Sequence, residues 1–280
     1  MEAKNIILVV ASKKDAASIN ITKKILEHYP FQKTITSYQG NPIYSATIAD
    51  REVKLIILNE ESIYAQNLPD SFSNLKIVIF ISRHSSVSGT PTLSVHPPGN
   101  LGEKAELGGL PRKISISPAN AMKNTLKAMA KLKEEMNLNY EVSYECTHHG
   151  PSLNVPAMFA ELGSSPTQWS DSNAAEVVAN ATMEAVSKFG KFQDKVALGI
   201  GGPHYNMKFT RMALESEIAF GHIIPKYAIS WINVEILQQC FERTLEKTEL
   251  AILDWKGIKG EDKPRLVDML KELGIQWKKV

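Results

Sequence analysis

Six of the seven histidines in this 280-residue chain fall in five short polar segments. These are Ser82-Arg83-His84-Ser85, Ser94-Val95-His96-Pro97-Pro98-Gly99-Asn100, Glu145-Cys146-Thr147-His148-His149-Gly150-Pro151, Gly201-Gly202-Pro203-His204-Tyr205 and Gly221-His222. Neutral imidazole is the commonest metal ligand, and its ordinary pKa lets it trade protons near neutrality. Histidines kept for packing would be scattered over apolar helix faces. These instead sit where strands are expected to end, the place at which open α/β sheets carry their chemistry. The pattern predicts a hydrolytic, metal-dependent site.

In the densest segment, Glu145 stands three and four residues before His148 and His149, so one strand end can supply ligands and an orienting hydrogen bond together. Extended backbone would send the two rings to opposite faces, one to the site and one to brace the structure. A structural or surface pair is an equal alternative. Gly199-Ile200-Gly201-Gly202-Pro203-His204-Tyr205 reads as a strand entering a glycine loop before a helix. It is either a tight turn or a backbone N–H cradle for a phosphate or oxyanion beside His204. The G-x-G-x-x-G spacing is absent, which disfavours a nicotinamide enzyme, and there is no G-x-S-x-G, HExxH or P-loop. His84 and His96 flank a loop of small polar residues, either a cover over a site or a surface turn. His222 reads nearly equally as a satisfied structural histidine, and His28 complements a helix C-terminus. Cys146 beside His148 permits a cysteine nucleophile, with a buried structural thiol the favoured alternative. Further carboxylates that could complete a site are Glu161, expected at a helix end, Asp171, more readily a helix cap, and Asp254 at the end of the last strand, the usual address of a functional acid.

The elements that must position these groups alternate between strand and helix. Ile6 to Ala11, Val53 to Leu58, Leu75 to Ile81 and Lys195 to Ile200 are apolar runs of buried strands. Glu141 to Cys146 alternates like a strand, and Leu250 to Leu253 is the last one. Helices are expected from Ser12 or Asp15 to Tyr29, from Ser117-Pro118 to Met136, from Asp171 or Ser172 to Phe189, over Thr210 to Ala219 and Asn233 to Thr244, and over Lys263 to Leu273. The alternation predicts an α/β three-layer α/β/α sandwich with a mixed sheet, one domain over 1–280 with a loop excursion at 84–115.

Charge is nearly balanced, with 32 Lys and Arg against 30 Asp and Glu, so any RNA contact must come from a local patch rather than the global field. Lys208, Arg211, Lys226, Lys256, Lys259, Lys263 and Arg265 lie near Tyr205, Phe209 and Trp255 in sequence. Such a set is by default a solvated face, and it also fits a groove for an RNA end. Two cysteines without CxxC spacing, no signal peptide and no long apolar stretch lead us to expect a cytoplasmic protein without a membrane segment.

At these same residues the chain resembles the archaeal and plant type of D-aminoacyl-tRNA deacylase. The likeness runs through the Ser82 and Leu93–Asn100 segments, Glu145–Pro151, Glu161-Leu162-Gly163-Ser164-Ser165 with Trp169, Gly199–Tyr205, Phe209-Thr210, Gly221-His222 and Asp254-Trp255-Lys256-Gly257. It implies a zinc-dependent enzyme that hydrolyses the ester between a D-amino acid and tRNA, on a sandwich similar to phosphorylases and peptidyl-tRNA hydrolases. Two departures stand out: Pro203, where a further glycine is expected, and Asn206-Met207 in place of Ala-Pro. Proline has no N–H, so position 203 cannot contribute to an oxyanion hole. On this reading zinc is held by some of His84, His96, His148, His149 and His204. Glu145, His148 and His204 form the catalytic set, with Glu145 as general base or orienting partner. Ser82, His84, Gly201, Gly202, Tyr205, Lys208 and Lys256 meet the substrate, and the Gly201-Gly202 backbone stabilises the oxyanion. D-aminoacyl-tRNA is the one partner implied, and a monomer is expected. Two rivals remain: a phosphorylase-like or metal-free hydrolase acting on a nucleoside or peptidyl-tRNA, and a tRNA-binding module whose histidines are structural.

Overall fold

The apolar run at the chain start forms β1 (Ile6–Ser12), buried along its whole length. Asp15 then caps α1 (Ala16–His28), its carboxylate accepting from the Ser18 N–H. This and all that follows is read from a computed structural model describing residues 5–191 and 194–280. A hairpin of β2 (Gln32–Tyr38) and β3 (Asn41–Ile48) leads into β4 (Arg51–Leu58), β5 (Leu75–Ser85) and β6 (Thr92–His96). Next come α2 (Ala119–Glu135), β7 (Glu141–Tyr144), β8 (Ala157–Ser164), the short α3 (Pro166–Trp169) and α4 (Ser172–Lys188). The last part holds β9 (Lys195–Ile200), α5 (Met207–Glu215), β10 (Ile218–Ile224), α6 (Val234–Glu242), β11 (Thr248–Leu253), α7 (Lys263–Glu272) and β12 (Trp277–Lys279).

The strands form two sheets. An eight-stranded mixed sheet runs β2-β3-β4-β1-β5-β8-β6-β7, and a four-stranded parallel sheet runs β10-β9-β11-β12. Alternate residues of β1 explain the layering, because successive side chains of a strand face opposite ways. Ile7, Val9 and Ala11 join a core shared with Ile21 and Ile25 of α1, Met122 and Leu126 of α2, and Val177 and Val178 of α4. Leu8 and Val10 face Phe80, Phe159, Leu68 and Leu153 on the other side. In the smaller sheet, Ala197 packs with Phe209 and Phe220, while Leu198 and Ile200 pack with Ile236 of α6 and Leu266 of α7. The expected layered α/β architecture with a mixed sheet is present, with its strands divided between two sheets.

Four local expectations are corrected. Glu161 to Ser164 is not a helix end but the C-terminal half of β8, inside the large sheet. The 84–115 stretch contributes β6, which pairs antiparallel with β8. The fifth helix begins at Met207, capped by Asn206, and gives way to β10 at Ile218. Ser117 does not cap α2. Its hydroxyl donates to the Gly221 carbonyl, and the Glu246 carboxylate accepts from the Ala119 and Asn120 N–H groups instead.

The segment after β7 laces the two sheets together. Glu145 N–H donates to Val95 O in the large sheet, and Cys146 N–H donates to His204 O beyond the end of β9. Thr147 N–H donates to Ile223 O of β10, while Gly99 N–H donates back to the His148 and His149 carbonyls. Buried backbone polar groups need partners, so this lacing fixes where residues 145–149 sit. The seam brings all five histidine segments within reach of one another.

Candidate active site

Strand register builds the inner wall. Parallel pairing of β5 with β8 sets Ser82 opposite Glu161 and His84 opposite Gly163. Antiparallel pairing of β6 with β8 sets Ser94 opposite Glu161 and His96 opposite Phe159. Gly163 is required here: a Cβ would lie 2.5 Å from the His84 carbonyl oxygen and 2.6 Å from its Cβ. The Ser82 hydroxyl donates to Glu161 Oε1 at 2.6 Å, and the Ser94 hydroxyl donates to Glu145 Oε1.

Glu145 is the hub. Its Oε2 accepts from His204 Nε2 at 2.9 Å and lies 3.7 Å from His148 Nε2, while Oε1 is 3.1 Å from His84 Nδ1. Glu161 lies 3.7 Å from both His84 Nδ1 and His96 Nε2. Burial alone would raise the pKa of Glu145, but hydrogen bonds from His204 and His84 and the charge of His84 hold it well below the usual carboxylate range. Glu161 is lowered in the same way, against burial, by His84 and His96. Burial pulls His84 down, and the hydrogen bonds and charges of Glu145 and Glu161 overcome it and raise it to about 10. His204, likewise resisted by burial, is raised to about 10 by Cys146 and Glu145.

The other three imidazoles are arranged differently. His96, His148 and His149 lie with ring centroids 4.2–4.8 Å apart. The two adjacent histidines do not point to opposite faces. His149 takes a left-handed backbone with φ +38°, which turns its ring towards His96 alongside His148. Each ring has Nδ1 against a backbone carbonyl: His148 on Cys146 O at 2.8 Å, His149 on Gly150 O at 2.7 Å, and His96 on Pro97 O at 3.3 Å. A carbonyl only accepts, so a proton sits on each Nδ1, and in the neutral rings of His148 and His149 Nε2 keeps its lone pair. His96 Nε2 is buried without a hydrogen-bond partner. Burial, then neighbouring histidine charge, holds His148 well below its ordinary value and His149 at about 4, so both are neutral. The ligand atoms of this trio all lie within 4.8 Å of one another, as do those of Cys146, His148 and His204 and those of His84, Glu145 and Glu161. Three imidazoles oriented through Nδ1, one of them with an orphaned buried nitrogen, are the donor set that suits zinc with one position open.

The remaining expected site residues fall apart from this centre to differing degrees. Tyr205 belongs to it, its ring 5.1 Å from His84 and 5.0 Å from His204. Gly201 and Gly202 do not form an oxyanion cradle. Their N–H groups already donate to Ile224 O and Gly257 O, and their φ of +104° and +77° makes them a turn that only glycine adopts easily. Lys208 binds Asp254 and the Val280 carbonyl, and Lys256 stands in a 3₁₀ turn after β11. Asp254 caps that turn through the Gly257 N–H. Cys146 is fully buried, which denies an ester access to its thiol; its Sγ lies 3.1 Å from His204 Nδ1. His222 is buried between the Thr147 hydroxyl and the Arg243 carbonyl, and burial lowers it to about 4.

Two cavities meet this centre, and His149 lines both. The larger, about 670 Å³, is walled by His148, Tyr227 and Trp231, with Lys104 and Arg112 at its edge. The smaller, about 300 Å³, is lined by Glu61, Glu161, Asp15, Ser82 and Arg83. Sequence reasoning missed Tyr227 and Trp231; it offered Glu161 as a carboxylate that could complete the site but set it at a helix end rather than in β8. The Tyr227 hydroxyl is 2.8 Å from His204 Nδ1, and its ring centroid is 5.5 Å from that of Trp231. Two aromatics four residues apart, just after the His222 strand, were the available signal.

Residues 71–278 match a family model described as D-aminoacyl-tRNA deacylase. The chain is similar to the D-aminoacyl-tRNA deacylases of Thermococcus onnurineus, at 37% identity, and of Pyrococcus furiosus, at 38%. Each alignment runs over 276 residues and covers 96% of this chain and 98% of the relative. The D-aminoacyl-tRNA deacylase of Methanosarcina barkeri is 34% identical over 96% of this chain and 88% of its own. Among solved structures, the crystal structure of a conserved protein of unknown function matches with a TM-score of 0.87 at 29% identity, over 98% of this chain and 95% of that one. No helix among the described residues is long and apolar enough to cross a membrane.

Proposed function

This chain belongs to the D-aminoacyl-tRNA deacylase family, and from that premise we propose that it hydrolyses the ester joining a D-amino acid to tRNA with the help of zinc on His96, His148 and His149. The observation that carries the reading is the trio of mutually close imidazoles, each oriented by its Nδ1 contact, beside the ionised Glu145–His204 pair. A bound zinc would supply water of lowered pKa and polarise the ester carbonyl.

The chain's own groups handle the protons. Glu145 Oε2, 3.7 Å from His148 Nε2, takes the proton of the attacking water. His204 carries its own proton on the far side, where Nδ1 meets the Tyr227 hydroxyl at 2.8 Å. That hydroxyl borders the larger cavity and relays a proton to the departing ribose oxygen. His204 keeps its Nε2 proton on Glu145 Oε2 throughout. Once the product has left, Nδ1 takes a proton back from solvent through the Tyr227 hydroxyl and Glu145 gives the water's proton up to solvent, so the pair is ready again. His84, between Glu145 and Glu161, keeps both carboxylates ionised and in place.

The two cavities divide the substrate at His149. The smaller carries Glu61 and Glu161, suited to the α-ammonium of the aminoacyl group. Discrimination between hands needs the α-carbon held at three points, and the ester, the ammonium contact and the cavity wall provide three. The reading includes a monomeric enzyme working in the cytoplasm.

The test is to incubate the protein with D- and L-aminoacyl-tRNA, with and without chelator. Cleavage of the D-ester only, abolished by chelator, restored by zinc and lost in His148→Ala, is expected. Equal cleavage of both hands would remove the chiral reading, and chelator-resistant D-specific cleavage would remove the metal.

A further inference from the structure

Trp231 and Tyr227 have no part in holding the fold's interior that would account for their exposure. Trp231 is 52% exposed and Tyr227 39%. Yet the backbone beneath them is pinned: Ala228 N–H donates to Pro225 O, Trp231 N–H and Ile232 N–H donate to Ala228 O, and the Arg265 guanidinium donates to the Ile232 and Ile229 carbonyls. Arg112 Nη1 adds a 3.3 Å bond to the Trp231 carbonyl. A flat aromatic surface is thus held open on a fixed support, in the wall of a concavity rather than on a convex surface. Scattered exposed apolar residues are ordinary, but two adjoining rings in a cavity of about 670 Å³ that also borders His148 and His149 form a ligand-sized pocket.

Resting on the deacylase reading above, we propose that Trp231 is the stacking platform for the 3′-terminal adenine of tRNA, with Lys104 and Arg112 facing the adjoining phosphate. The ester sits on the ribose of that terminal nucleoside, so its base must lie one sugar away from the reacting carbon. Of the two cavities that touch His149, the smaller presents Asp15, Glu61 and Glu161 against Arg83, which Glu61 already holds at 3.1 Å, and would repel a phosphate. The larger offers aromatic walls and cations. Tyr227 spans the distance, its hydroxyl on His204 and its ring beside the indole. Arg112 pairs with Glu103 at 2.9 Å and Lys104 with Glu106 at 3.7 Å. These are exposed ion pairs of small net value, so a phosphate can exchange with either carboxylate. Bases stack on aromatic side chains with little regard to sequence, which suits the invariant end of every tRNA.

Steady-state hydrolysis of D-aminoacyl-tRNA by the wild type, Trp231→Ala and Trp231→Phe tests the assignment, together with adenosine 5′-monophosphate as a probe that needs no turnover. Loss of stacking should raise KM about tenfold in Trp231→Ala while kcat stays within about twofold, because the contact is made equally in ground and transition states. Trp231→Phe should recover most of the KM. The nucleotide should quench tryptophan fluorescence in the wild type, and the quench should vanish in Trp231→Phe while competitive inhibition by the nucleotide persists. An unchanged KM in Trp231→Ala, or a quench that survives in Trp231→Phe, overturns the proposal. If the wild type binds the nucleotide but cleaves no aminoacyl ester, the deacylase reading falls instead.

Discussion

Replacing Glu145 with Gln keeps the shape of the hub and removes its charge. Glu145 is 1% exposed and receives hydrogen bonds from Ser94, His84 and His204. Without the carboxylate, burial would dominate His204 as it already dominates His148 and His149. His84 would keep only the more distant Glu161. Removing one partner of a buried ion pair costs about 3–5 kcal/mol. In the metal-free protein His84 and His204 rise from 6.5 to about 10 on folding. Their contribution is therefore fully present below pH 6.5 and lost as pH rises through about 10. Glu145, lowered below 4.5, contributes the same interaction seen from the other side, present above 4.5 and lost as pH falls. The deficit of Glu145→Gln should thus be greatest between about pH 4.5 and 6.5 and shrink towards pH 10. Urea unfolding of chelator-treated wild type and variant at about pH 6 and about pH 9.5 measures it. A deficit of equal size at both pH values would refute the charge network and leave only lost packing.

Gly163→Ala should lower kcat sharply and cost about 1–3 kcal/mol, because its Cβ would press on His84; a wild-type rate would show that His84 need not keep its position. His222→Ala should destabilise by about 1–3 kcal/mol through the stranded Thr147 hydroxyl and Arg243 carbonyl. It should keep its zinc content and most of its kcat, and loss of metal would move His222 into the site. Asp15 is raised from 3.8 to about 6 by burial, against the N–H groups of Ser18 and Arg83. Its effect favours folding below pH 3.8 and is lost as pH rises through about 6, a change of about 3 kcal/mol. Asp15→Asn should flatten the stability profile over that window, and an identical profile would contradict the assignment.

The helix starts at Asp15, Asp171 and Asn233 were legible because capping is a local bargain between one side chain and the next turn. So were β1, β5, β9 and β11, whose apolar runs leave few alternatives. Ala157–Ser164 was not, since Ala, Met, Glu and Leu favour helices and only burial between β5 and β6 makes the segment a strand. The same error misplaced Glu161, a candidate site carboxylate whose position depends on being opposite Ser82 and Ser94. The glycine loop failed for the complementary reason: its composition allowed an anion cradle, and carbonyls from Ile224 and Gly257 took up the N–H groups.

By itself the sequence settled which chemistry was on offer: a set of imidazoles and a carboxylate at strand ends, in a chain whose alternating strands and helices make an α/β architecture. Those facts are local, because side-chain type sets the intrinsic pKa and ligand character. Only the tertiary structure decided how five imidazoles divide their duties. Which nitrogen keeps its proton depends on whether a carbonyl or a carboxylate stands beside it: the carbonyls belong to adjacent backbone turned by the fold, and the carboxylates beside His84 and His204 arrive from elements about sixty to eighty residues away. His148 and His149 became neutral and face His96, while His84 and His204 became cations on Glu145, because the seam between the two sheets placed them so.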